Sequence, residues 1–440
     1  MLDKLMTDEC VLAERLISYD TSRQDELAAA AGFVKGWLES RDIEVREHDH
    51  NGMPVLVAEV GPPAAALGVG LAANVPGPPA AALGVGGQAS PALGVGLAAN
   101  VPGQASPGLA ANVPGQASQV PTVVLHGHLD VVPGRAEQFT PRIEGDRLIG
   151  RGAYDMKGAL AAMMCALKDL TGQDRVRVRF VCVPDEESEE LDERSTDDFV
   201  KRGLGGDFAI TGEPTDLHIG VQAKGVLVMR IDVHGRAAHS STPWLGDNAV
   251  LKAIDVFRAI ESLPFSRESS EMFDRPSINL GRIEGGEALN QVPEECCMAV
   301  DVRYLPGQDP GAILAQVRAI PDIDVTRTFI HPPVTVPRTN PYVRALCDAV
   351  SRSLPDREVM SVGRDGASDA ASFIEAGIPA VEFGPAGAGH HGPEEWVSIV
   401  SLARYRRALG DFVRALPIWL EGGEQDAGAS AGLRAIEGGL

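Results

Sequence analysis

The stretch "VVLHGHLDVVPG" (123–134) ends an apolar, β-forming run on His126, His128 and Asp130. These residues stand at every second position, so an extended chain projects all three from one face. Imidazole beside carboxylate is the raw material of metal ligation or of acid–base chemistry. Four further signals follow it. "GRGAYDMKGALAAMM" sets Asp155 in a glycine-flanked turn at the mouth of a helix, and "VCVPDEESEE" puts Glu186 and Glu187 directly after a buried strand. "ITGEPT" puts Glu213 after another strand, and "GAGHHGPEEW" puts His390 and His391 in a loop after "AVEFG". Each lies at the carboxyl end of a strand or just beyond it, where open α/β sheets build their sites. So many acids cannot all ionise in a partly buried cleft without a counter-charge. A pair of divalent metal ions supplies one. His, Asp and Glu donors without Cys suit zinc best, with cobalt or manganese as substitutes. One imidazole and one carboxylate per ion, plus a bridging carboxylate, make a two-metal site with ions about 3.5–4 Å apart.

The elements that would position these residues alternate. Helix 25–40, strands 43–47 and 54–59, strand 122–128, helix 156–170, strand 176–183, helix 195–202 and strand "FAITGEP" form an α/β pattern with helices on both faces of a sheet. From about Gly225 the texture changes to four strands, "VLVMRIDVHG", "SINLGRIEGG", "CCMAVDVRYL" and "DIDVTRTFI", with helices 246–262 and 310–318 between them. That pattern is a small α+β domain inserted into the first. The α/β pattern resumes with helices 341–353, 368–376 and 398–416 and strand "AVEFG". The expected organisation is a catalytic domain in two parts, 1–223 and 333–420, interrupted by a lid or dimerisation domain at 224–332. A flexible Gly-rich tail is expected at 421–440. Residues 61–118 stand apart: "GLAANVPG" recurs at 70, 96 and 108, without a charged residue or histidine in the segment. The irregular spacing argues against a solenoid, and Ala, Gly and Pro offer little to bury.

Bulk properties limit the function classes. The 440 residues suffice for two or three domains, and 44% hydrophobic content fits a soluble globular chain. No apolar, uncharged run of about 18 residues with helical character is present, so no membrane span is expected. The charged start, "MLDKLMTDECVLAERLI", reads as an amphipathic helix with Val11, Leu12, Leu16 and Ile17 on one side, which makes a cytoplasmic location the expectation. A net charge of −22 opposes nucleic-acid binding. The six cysteines include no C-x-x-C pair and read as free thiols.

Taken in order, "HGHLDVVP", "GRGAYDMKGALAA", "DEE", "GEPT", "GRAAHSSTP" and "GASDAASFIEAGIPAVEFGP" followed by a histidine and a glutamate resemble a known family. It is the di-zinc metallopeptidase family of aminoacylases, acetylornithine deacetylases, succinyl-diaminopimelate desuccinylases and glutamate carboxypeptidases. The likeness spans nearly the whole chain except the repeat and the tail. It implies a mixed-sheet catalytic domain interrupted by a ferredoxin-like lid/dimerisation domain, and a homodimer formed through that lid. It implies that His128 binds one metal, oriented from behind by Asp130. Asp155, followed by a cis peptide to Met156, would bridge both ions. Glu213 would complete the first ion, and Glu187 with His391 the second. His391 is preferred to His390 because it stands four residues before Glu395, the spacing of the family's H-x-x-x-E pattern. Glu186 would be the general base toward a metal-bridging water. From the lid, His239 would stabilise the oxyanion across the dimer. Asn290, Arg303 and Arg364 would hold the substrate, arginine suiting a carboxylate because its fork binds both oxygens. The implied activity is hydrolysis of the amide bond of a small N-acyl amino acid, of deacetylase or desuccinylase type. A dipeptidase or carboxypeptidase is the alternative within the family, and a catalytically inactive binding protein the remote one. The sequence departs from the family at Ser188, Glu189 and Glu190, where small residues or glycine are usual after the paired glutamates.

Overall fold

The computed structural model describes residues 7–63, 120–188, 194–355, 358 and 360–421. The repeat from residue 64 onward and the tail from residue 422 lie outside them. The chain opens with α1 (Asp8–Ile17) and α2 (Gln24–Glu39), then the hairpin β1 (Val45–His50) and β2 (Met53–Val60). On α1, Leu12, Leu16 and Ile17 are buried but Val11 is 48% exposed, against expectation. The buried face is set by the i, i+4 ladder through Leu12 and Leu16, and Val11 falls about 100° away from it. After the repeat come β3 (Thr122–His128), the hairpin β4 (Arg142–Glu144) and β5 (Arg147–Ile149), α3 (Gly158–Asp169), β6 (Arg177–Val183), α4 (Ser195–Lys201), β7 (Phe208–Thr211) and β8 (Ile219–Ala223).

The next stretch forms a sheet of its own: β9 (Gly225–His234), the short β10 (Ala238–His239), α5 (Ala249–Ile260), β11 (Ser277–Gly285), the short β12 (Gln291–Val292), β13 (Glu295–Tyr304), α6 (Pro310–Arg318) and β14 (Ile323–His331). The order β11-β13-β9-β14 is antiparallel throughout. With α5 and α6 as crossovers this is the βαββαβ, ferredoxin-like arrangement. Alternate residues of β9 (Leu227, Met229, Ile231, Val233) and β13 (Met298, Val300, Val302) pack under Val256, Ile260, Ile313 and Val317 of the two helices. Asn248 and Asp309 cap those helices, each accepting from backbone N–H groups of the first turn.

The chain then returns through β15 (Val334–Thr335), α7 (Pro341–Ser353), β16 (Ser361–Arg364), α8 (Ala370–Glu375), β17 (Ala380–Glu382), β18 (Gly387–Ala388), β19 (Trp396–Ser398) and α9 (Ile399–Glu421). The main sheet has nine strands, ordered β1-β2-β6-β3-β7-β17-β8-β15, with β16 alongside β8. Its centre, β6-β3-β7-β17, is parallel, and its flanks are antiparallel at β1/β2, β2/β6, β17/β8 and β15/β8. Every residue of β3 is buried, as its unbroken apolar run requires. Val123 and Leu125 face one core with α1, α2, α3, α7 and α9, while Val124 faces a second with α4 and α8. Helices therefore cover both faces. Among the described residues no helix is long and apolar enough to cross a membrane. All six cysteines are free.

The parallel quartet matters because its four carboxyl ends open on one edge. There β17 runs into Gly384, whose backbone presses against Gly212 and Glu213: a Cβ at 384 would overlap both carbonyl oxygens. Gly384→Ala is therefore expected to cost about 1–3 kcal/mol, read as a lower denaturant midpoint. A midpoint equal to that of the unmodified chain would show that this edge can relax.

Candidate metal centre

His128 is the last residue of β3. Its Nδ1–H donates to the Asp130 carbonyl oxygen at 3.0 Å, which turns Nε2 toward Asp155 Oδ1 at 3.1 Å. The Asp130 carboxylate lies 3.5 Å from the same Nδ1, and it accepts from the backbone N–H groups of Glu186 (3.3 Å) and Glu187 (2.8 Å). It thus pins the loop after β6 to the end of β3 as well as backing the imidazole.

Asp155 sits in a turn that a second buried carboxylate shapes. Glu395 accepts from Arg151 Nη1 (2.9 Å) and from the backbone N–H groups of Gly152 (3.0 Å), Tyr154 (2.9 Å) and Asp155 (3.0 Å). Gly152 enters this turn at φ +78°, with Val131 and Lys157 against the place a Cβ would occupy, so glycine is required. The Asp155–Met156 peptide is cis. From the far side, His391 at φ +59° brings Nε2 to 2.9 Å from Glu187 Oε1 and 3.5 Å from Asp155 Oδ2. Glu213, two residues past β7, completes the group. Three sets gather ligand atoms within 4.8 Å of one another: His128 with Asp155 and Glu213, Asp155 with Glu187 and His391, and His128 with Glu186 and Glu187.

The electrostatics follow from this crowding. Burial pushes the Glu186 carboxyl up to about 8, against the pull of Arg194 and His128. Burial, with Asp155 adjacent, raises Glu213 well above the usual range. The hydrogen bonds of Asp155 and Glu187 lift His391 to about 10. Burial would lower His128, but Asp130 and Asp155 hold it well above its ordinary value. The pocket thus favours positive charge at its centre and penalises more negative charge. Divalent cations fit this donor set: imidazole nitrogen and carboxylate oxygen, without sulfur.

The residues expected in the lid lie elsewhere. His239 is exposed on the β10–β12 ribbon, its Nδ1 2.8 Å from Ser241 Oγ. Asn290 is its neighbour, its carbonyl accepting from Ser240 N at 3.0 Å. Arg303 on β13 turns its guanidinium to Asp301 in three hydrogen bonds of 3.0–3.1 Å. Arg364 on β16 donates from Nε to buried Glu382 at the end of β17, at 3.2 Å. His126 is packed edge-on to Phe373, with Nε2 2.8 Å from Thr196 Oγ1. Sequence reasoning used Glu395 only as a spacing mark, and assigned nothing to Arg194, Asp369 and Glu382. Glu382 was legible as the acid ending "AVE"; Arg194, beyond an acidic run, carried no signal.

A model of the peptidase family M20/M25/M40 matches residues 124–415. A protein of Pyrobaculum aerophilum, named as a LysW-lysine/LysW-ornithine hydrolase, is 32% identical over 235 residues, 52% of this chain and 63% of that protein. A protein of Paracoccidioides lutzii, named as a carboxypeptidase, is 32% identical over 240 residues, 50% of this chain and 53% of its own length. A succinyl-diaminopimelate desuccinylase of Sphingopyxis alaskensis is 29% identical over 300 residues, covering 63% of this chain and 77% of that protein. The chain thus spans between half and two thirds of the first two relatives. Among solved structures, an M20 family metallo-carboxypeptidase from Sulfolobus solfataricus superposes with a TM-score of 0.67 at 18% identity, over 94% of this chain and 100% of that one. At that identity the likeness establishes the fold.

The clamp beneath Asp155 makes a prediction independent of metal. Arg151 is only 4% exposed, so Glu395→Ala strands a buried guanidinium and three N–H groups. The expected loss is about 3–5 kcal/mol, measured by chemical denaturation. Glu395→Gln, which keeps an acceptor oxygen, should lose less.

Proposed function

Because this chain belongs to peptidase family M20/M25/M40, we propose that it is a metal-dependent hydrolase cleaving the amide bond of a small N-acyl amino acid. The observation that carries the reading is the meeting of His128, Asp155, Glu187, Glu213 and His391, from distant stretches of the chain, in sets whose ligand atoms lie within 4.8 Å. In this proposal His128, Asp155 and Glu213 hold one ion, and Asp155, Glu187 and His391 the other. When bound, the pair supplies Lewis acidity that polarises the substrate carbonyl and lowers the pKa of water toward about 7. Zinc fits the donors best, with cobalt or manganese as substitutes.

The chain's own residues do the rest. Asp130 fixes the ring orientation of His128 through the strand-end contacts and aligns the backbone of Glu186 and Glu187. Glu186, partly buried beside His128, takes the proton from the attacking water and returns it to the leaving amine. His239 on the lid ribbon and Asn290 just before its second strand are proposed to meet the oxyanion and the substrate, His239 reaching from a second copy. Leu251 (60% exposed) and Ile254 (45%) on the outward face of α5 support a homodimer through the lid. Arg303 and Arg364 are proposed to receive a substrate carboxylate, each exchanging part of its bond to Asp301 or Glu382. Residues 224–332 would form the lid, with 1–223 and 333–420 as the catalytic domain. The free thiols suit a reducing, cytoplasmic setting. Cleavage of a peptide with a free carboxylate is the second reading, favoured by the relatives named as carboxypeptidases.

Turnover of N-acetyl, N-succinyl and dipeptide substrates with zinc and cobalt tests the proposal. Dialysis against a chelator should abolish turnover, and added zinc or cobalt should restore it. Glu186→Ala should lower kcat by about 100- to 10,000-fold while metal content by atomic emission stays at the unmodified value. Full turnover in that variant would remove Glu186 from the mechanism, and full turnover after complete metal removal would end the metal reading.

A further inference from the structure

Behind Glu186 lies a largely buried chain of polar groups that the proposed chemistry does not use, with only Arg194 partly exposed. Arg194 precedes α4, and its Nη1 stands 3.1 Å from Glu186 Oε1 and 3.1 Å from Asp369 Oδ1. That nitrogen carries two hydrogens, one for each carboxylate. Asp369, at the start of α8, is fully buried. Its other oxygen, Oδ2, accepts from Thr196 Oγ1 at 2.6 Å. The single hydroxyl hydrogen of Thr196 is thereby spent, because an ionised carboxylate has none to give. The 2.8 Å contact between His126 Nε2 and Thr196 Oγ1 must then run from imidazole to hydroxyl. The series is His126 Nε2–H to Thr196, Thr196 O–H to Asp369, and Arg194 shared by Asp369 and Glu186. His126 Nε2 also lies 3.4 Å from Asp369 Oδ2, so Thr196, Arg194 and the imidazole together hold the buried carboxylate.

The series begins on β3, two residues before His128, and ends on Glu186. Glu186 needs such a hold. One of its oxygens lies within 4.8 Å of ligand atoms of both His128 and Glu187, so by distance alone it could join a cation as a ligand. A general base must be held where its free oxygen meets water.

We infer that Arg194, anchored by Asp369, is a positioning residue that fixes one oxygen of Glu186 and leaves the other to act as the base. This rests on the reading of Glu186 as base given above. The anchor is a carboxylate with no exposure, on a different element from the base, so the guanidinium cannot follow Glu186 into the pocket without leaving Asp369 Oδ1 buried and without its donor. Lysine could keep the charge but reach both carboxylates less well, since it lacks the planar fork.

The test uses the cobalt-loaded full-length enzyme and whichever N-acyl or dipeptide substrate the screen selects. Arg194→Ala should lower kcat at least tenfold, with KM within twofold and with cobalt stoichiometry and visible absorption band unchanged. Arg194→Lys should recover part of the loss. In the Glu186→Gln background, Arg194→Ala should slow the enzyme no further. If Arg194→Ala does not fold, Arg194→Lys and Asp369→Asn carry the same comparison, each expected to lower kcat at constant KM. A kcat within twofold of the unmodified enzyme, or a loss that comes with lost cobalt or an altered band, overturns the inference. Should Glu186→Gln itself stay fully active, the base assignment fails; should only the Arg194 variants stay active, the assignment stands and the positioning role falls.

Discussion

Negative charge concentrated on one sheet edge is the constraint from which the architecture of the site follows. The parallel quartet β6-β3-β7-β17 delivers acids from every one of its carboxyl ends, and the helices on both faces keep water from most of them. The chain treats these acids, and those of the adjoining turns, in two ways. Asp130 and Glu395 are satisfied by fixed donors, two backbone N–H groups for the first and three plus a guanidinium for the second. Asp155 and Glu187 find His128 and His391 as the partners of their side chains among the described residues. The first pair builds a scaffold whose charge is already met. The second pair, with Glu213, faces a centre whose charge demand the protein leaves to imidazole, and a cation answers that demand better than a proton does.

This division explains what was legible in the sequence. Glu186, Glu187 and Glu213 were readable because each follows a strand pattern strong enough to locate the strand's end, and parallel strands put their ends together. Asp155 was readable from the glycines around its turn, and His128 from alternation alone. Most helix and strand boundaries lie within a few residues of expectation for the same reason: β3 and β6 are buried almost throughout, and β9 and β13 alternate buried with more exposed residues. What stayed hidden depends on contacts between distant elements. Arg194 becomes meaningful only when α8 places Asp369 beside it, 175 residues further along the chain. Glu395 signals a spacing in the sequence, but its work is to accept four hydrogen bonds from the Arg151–Asp155 turn. Val11 shows the limit of the pattern, because four apolar residues in one helix do not say which three share the buried face.

The ferredoxin-like sheet poses a different kind of problem. Its core is closed by α5 and α6, so its fold does not need the catalytic sheet's edge. His239, on an exposed two-residue ribbon, and Asn290, in the turn that leads into it, are nevertheless outside that core, where a side chain can be presented to something outside. Arg303 shows the opposite economy: its fork is already filled by Asp301 on the same strand, and a substrate carboxylate would have to compete with that bond. Arg364 is tied to a buried acid at the end of β17, in the main sheet rather than the ferredoxin-like one, and the pull of Glu382 sets its direction. Two arginines with the same proposed task thus start from different states. One would release a partly exposed carboxylate, whereas the other would expose a buried one, a costlier exchange. Of the two proposed carboxylate receivers, Arg303 would therefore change partner at the lower cost.

Strand β3 ties the scaffold to the chemistry. His128 faces the proposed ions and His126, two residues earlier on the same face, anchors the series that reaches Glu186. Burial lowers the His126 pKa to about 4, so the ring stays neutral through the neutral range and keeps its Nε2 proton for Thr196. A strand with all seven residues buried cannot slide by one position without moving both histidines to the opposite face. The register that places the proposed ligand therefore also places the support of the proposed base. The proposed metal site and the proposed base are thus referred to the same piece of backbone, which is what such a reaction needs when the water's two neighbours must keep a fixed separation.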